Sequence, residues 1–394
     1  QAKALDKRGG RGQAADLMAL AKQQQPGLPA LPDTVLDTLT PEKIELGRQL
    51  FFDRRLSLND TFSCAMCHVP EQGFTSNELE TSVGLEGRSV RRNAPTLYNV
   101  AYLKRLFHDG REFRLEDQIW GPLLAHNEMA NPSVGFVLAK IRGIADYRGR
   151  FETVYKQPLN MQNLGDALAA YQRVLVSGDS AFDRWHFARQ DDALDEAAKQ
   201  GFRLFTGKAG CVACHTLGEQ SALFTDQLLH NTGIGYRESM GVKPAKQALM
   251  LAPGVMVEVE RSLIDKVGAP PQKDLGLYEI TQNPQDRWKY KTPGLRNVAL
   301  TAPYMHNGSI GTLQEVVEFY NQGGVPNPVL SPLIKPLHLN TQEVGWLVAF
   351  LESLTGSNVD TLVADAFAAP VGDLTTADPN WAHQQTQPLQ GEAR

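Results

Sequence analysis

Apolar residues recur at a helical period in several stretches of this chain. Glu45-Leu46-Gly47-Arg48-Gln49-Leu50-Phe51-Phe52 and Lys199-Gln200-Gly201-Phe202-Arg203-Leu204-Phe205 both read as amphipathic helices, with Gly, Leu and Phe at matching offsets. The match implies an internal duplication. Thr40-Pro41-Glu42 gives the first helix a capping hydroxyl, a proline at the first helical position and an acid in the first turn. Thr312-Leu313-Gln314-Glu315 reads as a capping box, and the helix it opens carries Leu313, Val316, Val317 and Tyr320 on one face. Asn340-Thr341-Gln342-Glu343 starts a closing helix in the same way. Val344, Leu347, Val348 and Leu351 follow at i, i+3, i+4 and i+7, and Gly356 stops it. Strand signals are scarce.

The ends lack this period. Residues 1–39 hold a basic stretch, Lys7-Arg8-Gly9-Gly10-Arg11, and then a Gln- and Pro-rich stretch, which predicts an extended arm. Residues 357–394 are rich in Ala, Asp, Pro and Gln, which predicts a tail that wraps the surface or hangs loose. Gly and Pro punctuate residues 237–278, a stretch too long for a tight connection and therefore a candidate functional loop.

Composition narrows the class without naming it. The 394 residues are 42% hydrophobic and 21% charged, which is ordinary globular usage. A net charge of −5 and a pI near 6.0 argue against a general nucleic-acid binder. No apolar run reaches the roughly 18 residues of a membrane span.

The decisive chemistry lies in Cys64-Ala65-Met66-Cys67-His68 and Cys211-Val212-Ala213-Cys214-His215. Each is C-x-x-C-H, the attachment signature of c-type haem: two thiols form thioethers with the haem vinyl groups and the His offers a nitrogen to iron. The two motifs use all 4 cysteines, so no thiol is left for a disulfide, a zinc site or a nucleophile. A redox C-x-x-C or a zinc half-site would explain one motif and leave its twin a coincidence. The expected fold is mainly α, two cytochrome c-like haem domains packed together with few or no strands. They are expected at 40–188 and 189–356, the second with the 237–278 insertion. Covalent haem attachment in bacteria takes place outside the cytoplasmic membrane. With a chain that begins at Gln1 and shows no signal peptide, a processed periplasmic protein is expected.

Over roughly residues 41–356 the chain resembles the bacterial diheme cytochrome c peroxidase superfamily, and within it the MauG-type enzymes. The resemblance rests on both haem motifs, Arg92-Asn93-Ala94-Pro95-Thr96-Leu97, Phe107-His108-Asp109-Gly110-Arg111, Glu128-Met129, Lys291-Thr292-Pro293-Gly294-Leu295-Arg296-Asn297-Val298 and Pro303-Tyr304-Met305-His306-Asn307-Gly308, in family order. It implies two covalently bound haem c groups and a calcium ion between them, with Asn93, Thr301 and Pro303 at the calcium positions.

The remaining roles also follow from the resemblance. His68 and His215 are the proximal ligands. By periodicity alone Tyr320 is a buried aromatic. Phe319-Tyr320-Asn321 matches the MauG-type string whose Tyr is the second haem's other ligand, with Met305 as the alternative. Residues 69–107 contain no His, so the loop imidazole that caps the first haem in other members is missing and that haem is expected to be open to peroxide. Glu128 matches the distal carboxylate, Gln118 a distal amide and Pro122 a pocket-lining proline, while His126 is placed at the pocket edge, with a second distal proton carrier as the alternative. His108 stands where the family carries a bridging Trp and is a catalytic candidate in its place, with hydrogen-bonding between haem propionates or ligation as alternatives. No aromatic precedes Cys211 in Lys208-Ala209-Gly210, where MauG-type enzymes use a surface Trp.

Three functions remain at this stage. The first is an enzyme that uses hydrogen peroxide to form a high-valent diheme intermediate that oxidises a partner protein. The second is a peroxidase that reduces peroxide with electrons from a small cytochrome or copper protein. The third is a non-enzymatic diheme electron carrier. An open first haem argues against the third. Tyr320 favours the first, and the missing tryptophans favour the second.

Overall fold

The computed structural model describes residues 12–241, 245–252, 255–264, 266–267 and 273–372. Its framework is two helix pairs, one in each half. In the first half α1 (Pro41–Phe52), capped by the Thr40 hydroxyl, packs on α4 (Met161–Arg173). Between them lie α2 (Leu115–Gln118) and α3 (Trp120–Leu124). In the second half α5 (Glu196–Thr206) packs on α7 (Thr341–Glu352), with α6 (Leu313–Asn321) beside α7. Thr312 and Asn340 cap α6 and α7 in reciprocal capping boxes, as their sequences predict.

The repeated glycine has a packing cause. A Cβ on Gly47 would collide with the Ala167 carbonyl of α4, and one on Gly201 with the Trp346 carbonyl of α7. Each helix pair therefore approaches at a point where only glycine fits. One core gathers Leu46, Leu50, Phe51, Leu168 and Tyr171. The other stacks Phe182, Phe205, Phe224 and Phe350, with ring centroids of Phe205 and Phe350 5.0 Å apart.

The duplication runs further than the two helices. Leu106 bridges Glu112 in the first half and Tyr304 bridges Ile310 in the second, at one constant offset in the numbering. At the same offset Asn99 and Asn297 take φ of 62° and 60°, and Gly110 and Gly308 take φ of 65° and 67°. In the numbering the same offset pairs the start of α2 with that of α6 and Pro122 with Tyr320.

Strands are few and short, as expected. β1 (Leu229–His230) pairs with β4 (Tyr290–Lys291), and β2 (Lys246–Ala252) with β3 (Val255–Glu260), both antiparallel. The hairpin of β2 and β3 belongs to the insertion. It packs against the segment after His306, where the Gln247 amide donates to the Gly308 carbonyl across 2.7 Å.

Two expectations need correction. The described part of the N-terminal arm holds short helices at Leu17–Lys22 and Asp33–Leu36, and Leu17, Leu28 and Leu31 are buried in the first core. Spaced leucines in a Gln- and Pro-rich context gave too short a period to read. Its basic stretch falls outside the described residues. The segment after 356, read as a tail, contains the helix Val359–Ala368, whose Leu362 is fully buried and whose Asp365 binds Arg48 of α1 across 2.7 Å. Its alanines carry helix propensity that amphipathic counting undervalues.

Candidate functional site

Each C-x-x-C-H string folds as one tight turn, Cys64–Met66 and Cys211–Ala213. The His68 N–H donates to the Cys64 carbonyl across 3.0 Å, and that of His215 to Cys211 across 2.9 Å. Each turn fronts a cavity. Cys64, Cys67, His68, Gln118, Pro122 and Glu128 line the N-terminal one, about 380 Å³. Cys211, Cys214, His215, Met305, His306 and Tyr320 line the C-terminal one, about 340 Å³.

Both imidazoles are oriented from behind. His68 Nδ1 lies 3.1 Å from the Phe74 carbonyl and His215 Nδ1 2.8 Å from the Phe224 carbonyl. Both phenylalanines adopt φ of 53°, which turns the carbonyl toward the ring. A carbonyl partner assigns the proton to Nδ1 and leaves Nε2 free as a ligand. Burial lowers the pKa of both rings and keeps them neutral, the form that binds metal.

The residues present fit haem. All 4 thiols are free, His68 and His215 each line a cavity, and the Tyr320 hydroxyl has no hydrogen-bond partner among the described residues although burial raises its pKa. An orphaned phenol in such a place suits a ligand to iron. Met305, the alternative, lines the same cavity. In the N-terminal cavity the other imidazole is that of His108, whose Nε2 is already bonded to the Asn93 carbonyl across 2.8 Å. Burial raises the pKa of Glu128, with Arg111 opposing. His126 is exposed and does not line the cavity. Its carbonyl accepts from Arg88, so the pocket-edge placement is corrected. A polar loop position between two lining residues, Ala125 and Asn127, simply faces outward.

A seam separates the cavities. His108 and Lys291 line both. The Asn93 N–H donates to the His306 carbonyl and the Lys291 N–H to the His108 carbonyl, each across 2.7 Å. Burial pushes the His108 pKa down to about 4, His306 to about 3 and Lys291 to about 8. His306 stacks on Tyr290 with centroids 3.5 Å apart. Behind the seam Asp274 grips Arg92 at 2.5 Å, Arg92 binds Asp109 at 2.7 Å, and Asp109 binds Arg111 at 2.9 Å. Asn93, Thr301 and Pro303 line the C-terminal cavity together. The Asn93 amide donates to the Glu80 carbonyl across 2.9 Å, which leaves Oδ1 available, and the carbonyls of Thr301 and Pro303 accept no hydrogen bond from the described residues.

Sequence reasoning assigned no role to His306 or Lys291. The signal was present: His108-Asp109-Gly110 recurs as His306-Asn307-Gly308, and Asn93 is the counterpart of Lys291 at the same offset.

A helical, duplicated fold with a C-x-x-C-H turn at each of two linked cavities defines a diheme c-type oxidoreductase. The family model for Di-haem cytochrome c peroxidase matches residues 41–192. The methylamine utilization protein MauG of Methylorubrum extorquens is 36% identical over 342 residues, 86% of this chain and 85% of that one. The cytochrome-c peroxidase IdrP1 of Denitromonas iodatirespirans is 36% identical, covering 83% of this chain and 85% of its own length. A crystal structure of a MauG-like protein associated with microbial copper homeostasis superposes with a TM-score of 0.67 at 31% identity, over 86% of this chain and 95% of that one. The chain belongs to the di-haem cytochrome c peroxidase family. It is a peroxidase-type oxidoreductase with two haems, and the reading as a bare electron carrier falls away.

Proposed function

We propose that this protein is a periplasmic MauG-like enzyme that takes hydrogen peroxide at the N-terminal cavity and uses its oxidising power on a partner protein. One observation carries the reading: Pro122 and Tyr320 occupy corresponding places in the two halves. Proline has no side-chain donor atom, so Pro122 could not ligate a haem iron held by His68, and the N-terminal cavity would keep room for a small ligand. Tyr320 lines the same cavity as His215 and would offer a phenolate to iron held there, and a hard oxygen favours the oxidised states of iron.

Cys64, Cys67 and His68 would hold one haem, and Cys211, Cys214, His215 and Tyr320 the other. When bound, the haems supply iron that exchanges electrons with peroxide and with the partner. The rest falls to the protein. Glu128 takes a proton from one peroxide oxygen and returns it to the other, which eases the O–O break. Burial raises its pKa, so it holds a proton to a higher pH than an exposed glutamate. The Gln118 amide orients the peroxide, and Pro122 shields it from water. His108 is a positioning residue, because its Nε2 holds the Asn93 carbonyl at the seam. Asn93 Oδ1 and the carbonyls of Thr301 and Pro303 form an oxygen set suited to calcium.

Lys208-Ala209-Gly210 supports a second reading, since no aromatic ring stands before Cys211 to pass oxidation to a docked protein. The protein would then reduce peroxide with electrons from a small redox protein. The relatives divide in the same way, some bearing the MauG name and others the name cytochrome-c peroxidase. One equivalent of peroxide added to the ferric protein, beside a turnover assay with reduced cytochrome c, separates the two. A persistent oxidised spectrum with little turnover supports the first, and rapid steady consumption of cytochrome c replaces it with the second.

A further inference from the structure

We infer that Lys291 is a counter-cation shared by the two haems, with its ammonium serving the propionate carboxylates that enter from both cavities. Every other cation at these walls is accounted for. Arg92 is bound by Asp274 and Asp109, Arg111 by Asp109, Arg91 by Glu279 and Arg296 by Asp183, while Lys335 is exposed. Lys291 Nζ has neither a carboxylate nor a hydrogen-bond partner among the described residues. An ammonium taken from water without a partner is costly. The cost is removed if the partner arrives with the ligand, and a haem brings two carboxylates into each cavity.

The backbone explains why this residue reaches both. Lys291 ends β4, pairs with Leu229 of β1, and donates its N–H to the His108 carbonyl. Asn93 makes the matching bond to His306 from the other half. The duplicated fold thus sets two equivalent residues at one seam, a neutral amide in the first half and a cation in the second. His108 lines both cavities too, but it is held neutral and its Nε2 is occupied. Among the described titratable groups, Lys291 is left as the charge the two haems share. A positive charge beside a haem favours the reduced iron, so Lys291 raises both potentials.

The inference rests on both cavities holding haem. The test is a spectroelectrochemical titration of the holoenzyme, with haem counted per chain, for the native protein, Lys291→Gln and Lys291→Arg. In Lys291→Gln the ferric-to-ferrous ratio at fixed potential should rise about tenfold for each haem, a fall of about 59 mV in each one-electron midpoint. Lys291→Arg should stay within threefold of native at both. A shift at one haem alone, or at neither, overturns the inference. So does loss of a single haem, which would assign Lys291 to one cavity. If Lys291→Gln takes up neither haem while Lys291→Arg takes up both with native potentials, the charge is required for loading and the inference stands. If neither variant loads, the stem and not the charge is needed, and it falls. Fewer than two haems in the native protein would instead overturn the two-haem reading.

Discussion

The Lys291 N–H donates to the His108 carbonyl across 2.7 Å, and each of these residues lines both cavities. The bond crosses from one half of the duplication to the other, and Asn93 returns it to His306 at the same length. Neither half therefore closes its own cavity. Each borrows a backbone carbonyl from the other, so the spacing between the sites is fixed by main chain, the least adjustable part of the fold.

The helix pairs make a sharp stability test. Gly201→Ala puts a methyl group against the Trp346 carbonyl, whereas Gly345, on the same helix as Trp346, has nothing within 4 Å of the added carbon. The first substitution should destabilise by about 1–3 kcal/mol through overpacking. The second should stabilise by about 0.5–1 kcal/mol, the ordinary helical gain of alanine over glycine. Thermal melts of the holoprotein should move in opposite directions, and parallel shifts would contradict the close approach.

Burial opposes ionisation of Asp274, but Arg92 overrides it and holds the carboxyl well below 3.8. A carboxyl with a depressed folded-state pKa adds stability that is present above the unfolded value and lost as pH falls through the folded one. Asp274→Asn should therefore cost about 3 kcal/mol at pH 7, the lower end for a broken buried pair because Arg92 keeps Asp109. The difference from native should shrink below pH 4. Denaturant midpoints at pH 7 and pH 3 measure it.

The sequence made the helices legible wherever a cap met a strong period, as at Thr40, Thr312 and Asn340. It also placed Cys64, Cys67, His68, Cys211, Cys214 and His215, because covalent attachment demands a contiguous string. The helix Val359–Ala368 was hidden because it buries only a narrow face, with Leu362 and Ala366 inward. The seam was hidden for another reason. Lys291 and His108 are far apart in the chain, and what joins them is a main-chain bond, to which side-chain identity contributes nothing. Only the weak echo of His108-Asp109-Gly110 in His306-Asn307-Gly308 pointed there.

If Tyr320 ligates iron, Tyr320→Phe removes a phenolate that stabilises the ferric state. The potential of the C-terminal haem should rise by about 59 mV or more, tenfold or more in the ferric-to-ferrous ratio. The N-terminal haem should change far less, because Tyr320 lines only the C-terminal cavity. An unchanged ferric spectrum and potential would transfer the ligand role to Met305, which lines the same wall.

Glu128 carries the last prediction, and its sign follows from burial. Desolvation raises the carboxyl pKa above 4.5, with Arg111 opposing, so Glu128 stays protonated to a higher pH than an exposed glutamate. A group that must first accept a proton works only when ionised. The rate of reaction with peroxide should therefore fall as pH drops, and the fall should begin above the usual carboxylate range. Glu128→Gln keeps the shape and removes the titration. It should slow the reaction by about 10²–10⁴-fold at pH 7 and flatten the acid limb. The two readouts separate a proton carrier from a residue that merely packs. A packing role would lower the rate at every pH and leave the limb in place, whereas proton transfer removes the limb itself. Stopped-flow absorbance of the ferric protein against peroxide, from pH 5 to pH 8, measures both at once.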